Sequence, residues 1–240
     1  MYNKTEENQL PPHDDPCKLA DDFGEFFCRK VDLIHRNDID AITVVLPVLN
    51  VPTPENKFEK FDVLSEEEVS DIIMSSSNAS CQLDPIPTWL LKLCGSELIP
   101  IITKMINLSL QQGQVPDSWK AAVMRPLLKK LGLELVYKNF RPVSNLPTVS
   151  KSAEKAVVGQ LFRHCSDNAP LPVHQSSYRQ FHSTETALLK VQSDILSSMD
   201  KQEVTLLVLL ALDTVDHNIL INILESDFEI CGDVLTTCNC

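Results

Sequence analysis

Asn139-Phe140-Arg141-Pro142-Val143-Ser144-Asn145-Leu146-Pro147 lies near the centre of the most basic part of the chain. Arg141 presents a planar guanidinium suited to paired phosphate oxygens. Taken alone, the same residue equally fits an exposed or ion-paired arginine before a turn-forming proline. The surrounding charge is uneven: residues 1–118 carry 9 basic and 20 acidic side chains, residues 119–179 carry 10 and 3, and residues 180–240 carry 2 and 10. A net charge of −12 thus conceals a local surplus of +7 between acidic flanks. A phosphate-binding surface would leave that pattern, as would a solvated face with scattered lysines.

Outward from this stretch, residues 119–128 form a short apolar run ending in Arg125, Pro126 and the Lys129-Lys130 pair, as in a strand or hairpin arm. Thr148 to about Cys165 reads as a helix, with Ala153, Val157 and Leu161 four apart. Upstream, Gly113 suits the C-terminus of a helix over 97–112, and a short helix is expected over 88–94. Ser65-Glu66-Glu67-Glu68 is a capping-box arrangement opening a helix through Val69, Ile72 and Ile73. Leu19, Phe23, Phe26, Phe27, Val31 and Ile34 give one apolar helical stripe after a mobile polar tail over 1–16, and the prolines of 37–60 mark a linker. Ser183 or Thr184 caps a helix through Ala187, Leu188, Val191, Ile195 and Leu196. Glu203 to Leu212 has the composition of a buried strand, 218–225 reads as helix, and the tail from about Phe228 is expected to be mobile, with Cys231, Cys238 and Cys240 exposed. Helices dominate, so the fold class is α+β, mostly helical.

The 43% hydrophobic content suits a core-forming protein, and the longest apolar stretch, 204–212, is too short to cross a bilayer. A soluble intracellular protein, cytoplasmic or nuclear, with no membrane partner is the expectation. Eight cysteines occur without a Cys-x-x-Cys pair, so free thiols are expected rather than a zinc site. His164, His174 and His182 lack metal spacing and read as surface histidines. There is no Gly-rich phosphate loop, and Ser183 beside His182 lacks the context of a hydrolase nucleophile.

Eight strings in order carry a resemblance: Leu83-Asp-Pro-Ile-Pro-Thr-Trp-Leu-Leu-Lys92, Val115-Pro-Asp-Ser-Trp-Lys120, Arg125-Pro-Leu-Leu-Lys-Lys130, Phe140-Arg-Pro-Val-Ser144, Ser150-Lys-Ser-Ala-Glu-Lys155, Gln175-Ser-Ser-Tyr-Arg179, His182-Ser-Thr-Glu-Thr-Ala187 and Asp213-Thr-Val-Asp-His217. Together they resemble the reverse transcriptase of LINE-type (non-LTR) retrotransposons, from its fingers into its early palm. The resemblance implies a right-hand polymerase, with 1–60 a tail, helix and linker, 61–118 a helical extension, 119–200 the fingers and 201–240 the start of the palm. It implies nucleotide or substrate contacts by Arg141, Lys120, Arg125, Lys129 and Lys130, and template-side positions for Gln175, Tyr178 and Arg179.

It also locates a defect. Template-directed nucleotide addition uses carboxylates to hold two Mg²⁺ ions. The family's first such aspartate ends a strand in motif A. Here Leu206-Leu-Val-Leu-Leu-Ala-Leu-Asp-Thr-Val-Asp216-His217 is four residues shorter than the family pattern, so Ala211 replaces that aspartate or the aspartate is deleted. Asp213 and Asp216 match later positions of the motif and read as helix-capping or surface remnants, and the chain ends before the motif C aspartate pair. No intact catalytic set, no metal ligands and no cofactor are therefore expected, although the family uses Mg²⁺. The expected product is a truncated, inactive reverse-transcriptase-like protein of retroelement origin. The alternatives are a non-enzymatic module binding RNA or DNA weakly, and a polymerase subunit completed by another chain.

Overall fold

A computed structural model describes residues 10–41, 56–168, 176, 181–205 and 217–238, with side chains of the first segment described to residue 33. Helix α1 spans Pro16–Ala41. Its start is fixed by proline at the first helical position and by the Asp15 carboxylate, which accepts from the Cys17 amide at 2.9 Å. It runs past the apolar stripe into residues expected to be linker, because propagating a formed helix costs little. Pro11, expected in a mobile tail, is buried.

Helix α2 (Glu66–Ser75) opens on the expected capping box: Ser65 Oγ accepts from the Glu68 amide at 3.2 Å, and the Ser65 amide donates back to Glu68 Oε2 at 2.8 Å. Helices α3 (Thr88–Leu93) and α4 (Gly95–Gln112) follow, and α4 ends at Gly113 with φ +60°. One helical turn, α5 (Asp117–Lys120), leads into strand β1 (Val123–Leu128). A loop then returns as β2 (Phe140–Asn145), antiparallel to β1. Helix α6 (Thr148–Asn168), helix α7 (Thr184–Asp200), helix α8 (His217–Ser226) and helix α9 (Gly232–Cys238) complete the described elements. The architecture is mostly helical with one two-stranded sheet, consistent with α+β.

The main core packs α2 against α4 and α6, with Val69, Ile73 and Ile106 at its centre. Ile230 and Val234 are equally buried, so residues 228–238 are part of this core and not the exposed tail anticipated. The backbone explains their placement: Phe58 and Ile230 form a parallel bridge, with the Phe58 amide on Glu229 O at 3.0 Å and the Cys231 amide on Phe58 O at 3.1 Å. Side-chain amides fix the adjoining segment. Gln160 holds both backbone groups of Asp62, and Asn107 holds both of Leu64.

His164, anticipated as a surface residue, is half-buried. Its ring stacks on Phe58 at 5.1 Å, and Nε2 lies 3.0 Å from Phe228 O. A second aromatic core joins Leu19, Phe23 and Phe27 of α1 to Phe140 and Tyr137. Burial raises the Tyr137 phenol above its ordinary range, and neighbouring Asp22 adds to this.

Of the strand expected over Glu203 to Leu212, residues 203–205 are not strand and the rest lie outside the described residues. Among the described residues no helix is long and apolar enough to cross a membrane. The described cysteines are all free, and no group of three or more described His, Cys, Asp or Glu side chains is placed to hold a metal ion.

Candidate nucleic-acid interface

The register of the β1–β2 ribbon decides which basic side chains meet. Arg125 pairs with Val143, and Leu127 with Arg141. Because side chains alternate across a strand, Arg125 and Arg141 share one face as diagonal neighbours, about 7–8 Å apart. Both are exposed, and among the described residues neither guanidinium has a hydrogen-bond or ion-pair partner. The opposite face carries Leu128 and Phe140, which pack on α1. That packing turns the arginine face outward.

Lys129 continues the ladder, its amide donating to Asn139 O at 2.9 Å, but its ammonium folds onto Lys138 O at 2.8 Å and closes the connecting loop. Lys130 is exposed beside it. Lys120 lies beyond the other end of β1, whose six residues span roughly 20 Å, and makes a loose 3.8 Å ion pair with Asp117. The five basic residues therefore form a line along the ribbon, with two arginines at its centre, rather than one cluster. Gln175, Tyr178, Arg179, Ala211, Asp213 and Asp216 lie outside the described residues.

At the Lys120 end a cleft of about 440 Å³ opens between α5 and α6, with Trp119, Val157 and Leu146 in its wall and Glu154 at its edge. Burial raises the Glu154 carboxyl, and Lys151 partly opposes the rise.

One set of residues escaped the sequence reading. Asp84 Oδ1 accepts from the Thr148 amide at 2.6 Å, while Oδ2 accepts from the Cys81 amide at 2.6 Å and Thr148 Oγ1 at 3.0 Å. One carboxylate thus joins the turn before α3 to the start of α6, immediately after β2. Asp84 appeared in the sequence only within the string Leu83–Lys92, and its long-range partner left no local trace.

No protein-family model matches the chain. Curated proteins of Drosophila melanogaster do: it is 28% identical over 137 residues to the probable RNA-directed DNA polymerase from transposon X-element, matching 57% of this chain and 15% of that protein. The figures are 28% over 138 residues for the probable RNA-directed DNA polymerase from transposon BS, again 57% and 15%, and 26% over 114 residues for the RNA-directed DNA polymerase from mobile element jockey, 47% and 12%. The chain is similar to non-LTR retrotransposon reverse transcriptases. The match spans about one seventh of the X-element and BS proteins.

Proposed function

We propose that this chain is a retroelement-derived, reverse-transcriptase-like module that binds the phosphates of RNA or DNA through the arginine face of its β1–β2 ribbon and does not itself extend a primer. In this reading 119–200 corresponds to the fingers of a right-hand polymerase and 201–240 to the opening of its palm. The observation that carries it is the pairing of Leu127 with Arg141 and of Val143 with Arg125, which puts two unpartnered guanidiniums on one exposed face. A guanidinium fork suits phosphate oxygens better than an ammonium does. The net charge of −12 opposes any polyanion at long range, so binding is weak and confined to the ribbon.

The family's Mg²⁺ site does not fit the residues at hand. The shortened motif either puts Ala211 where a carboxylate belongs or lacks that position outright, and both alignments leave the family's first carboxylate missing. These side chains therefore support no catalytic step through a metal.

The test is titration of the full chain with single-stranded RNA across salt concentrations. Affinity is expected to fall as salt rises, and Arg125→Ala or Arg141→Ala to reduce the slope of log K against log salt by about 0.7 each, one phosphate contact apiece. Binding indifferent to salt or to both substitutions would overturn the interface. Chelator-sensitive primer extension in Mg²⁺ would overturn the inactivity.

A further inference from the structure

We propose that Asp84 is a positioning residue that aims Arg125 and Arg141 by fixing the exit of the ribbon onto α6. The inference rests on the phosphate-binding reading above and adds a residue that contacts no ligand.

The ribbon cannot set its own direction. A two-stranded sheet is marginal by itself, so its orientation is imposed by what holds it. One attachment is the packing of Phe140 and Leu128 on α1, at the end where β2 begins. The other lies at the far end, where β1 leaves α5 just after the buried Trp119 and where β2 ends at Asn145, opposite Val123. Only Leu146 and Pro147 separate Asn145 from the first residue of α6.

The Asp84 junction grips that short link from both sides. On the α6 side its carboxylate takes the amide and the hydroxyl of Thr148, and Thr148 Oγ1 lies 2.8 Å from Thr88 Oγ1, both threonines being buried. On the strand side the same carboxylate fixes the Cys81 amide, and the buried Cys81 thiol donates to Asn145 O at 3.1 Å. Lys151, one turn into α6, donates to Asn145 Oδ1 at 2.5 Å. Bonds to an ionised carboxylate are short and stronger than neutral ones, which makes Asp84 the hub. If the hub is lost, the ribbon keeps its α1 attachment and the link of β1 to α5, and β2 gains freedom to shift at Asn145. Each arginine then spends less time where a phosphate on a common strand can be shared.

Salt titration of the full chain with the same RNA tests this, well below each variant's thermal midpoint. Asp84→Asn keeps the size and loses the charge; it is expected to weaken binding several-fold and to lower the salt slope by up to about 1.4, the sum of the two arginine contacts. The triple variant Asp84→Asn/Arg125→Ala/Arg141→Ala is expected to match Arg125→Ala/Arg141→Ala in affinity and slope, because Asp84 acts only through those two contacts. Cys81→Ala, which leaves Asp84 intact and cuts the tie to Asn145, is expected to give a smaller loss of the same kind, and it keeps the test decisive if Asp84→Asn does not fold. A lowered midpoint with wild-type affinity and slope would make the junction merely structural and overturn the proposal, as would wild-type binding by Cys81→Ala. Failure of the arginine variants themselves to change binding would instead strike the phosphate-binding reading, and this inference with it.

Discussion

Single residues carry effects that depend on one or two atoms. The Glu68 carboxyl is held below its usual range, first by the hydrogen bond from the Ser65 amide and then by the Ser65 hydroxyl. A lowered folded-state value means the ionised group stabilises the fold at pH above the unfolded carboxyl's value near 4.3, and that contribution is lost as pH falls through the lower folded value. Wild type should therefore melt above Glu68→Gln at pH 7, by about 1 °C because the group is exposed and screened, and the two midpoints should converge as pH falls through the folded value. Convergence at high pH would reverse the assignment. Thr103 presents the opposite case: its Oγ1 is buried with no hydrogen-bond partner among the described residues. An orphaned hydroxyl costs desolvation without return, so Thr103→Val should be neutral or up to about 1 kcal/mol more stable in urea unfolding.

At the scale of elements, α9 shows how a segment that reads as a tail becomes structure. Gly232 turns the chain into it with φ +59°, and a Cβ there would lie 2.8 Å from Glu59 O. Left-handed backbone and that contact together should make Gly232→Ala about 1–3 kcal/mol less stable, read by chemical denaturation. The thiols on either side report the same packing. Burial raises Cys238, and burial followed by the charge of Glu59 raises Cys231, so neither is a ready thiolate at neutral pH. Thiol labelling followed by mass spectrometry should modify exposed Cys17 and Cys28 first, and the half-buried Cys231 and Cys238 more slowly, with denaturant removing the difference. Rapid native labelling of Cys238 would mean that α9 does not pack as described. Helix α7 contrasts with α9: it has no buried residue, and Leu188, Leu189 and Met199 are exposed.

Across the whole molecule, segments far apart in sequence close one core. Ile230 and Val234 are fully buried against residues from α2, α4 and α6. Truncating one such side chain costs about 2–5 kcal/mol, against a total stability of about 5–15 kcal/mol. Removing residues 228–238 should therefore abolish the cooperative thermal transition seen by circular dichroism. A deletion variant that still melted cooperatively near the wild-type temperature would show that the core stands without them.

Local chemistry wrote much of this protein into its sequence. The capping box at Ser65, the left-handed glycine after α4, the Leu19–Phe27 part of the α1 stripe (Val31 is exposed) and the basic surplus over 119–179 each depend on neighbours within a few positions, so spacing and residue type suffice to read them. The ordered strings, from Leu83-Asp84-Pro85 to Asp213, likewise pointed to the retroelement polymerases that the chain matches. Tertiary structure alone decided what those strings do to one another. Pairing register put Arg125 and Arg141 on one face, and a one-residue slip would have separated either from its side of the sheet. The bridge from Phe58 to Ile230 and the reach of Asp84 to Thr148 join positions 172 and 64 residues apart. Such contacts arise from closing loops around a shared core, and no local pattern of charge or hydropathy encodes which distant backbone group will be waiting.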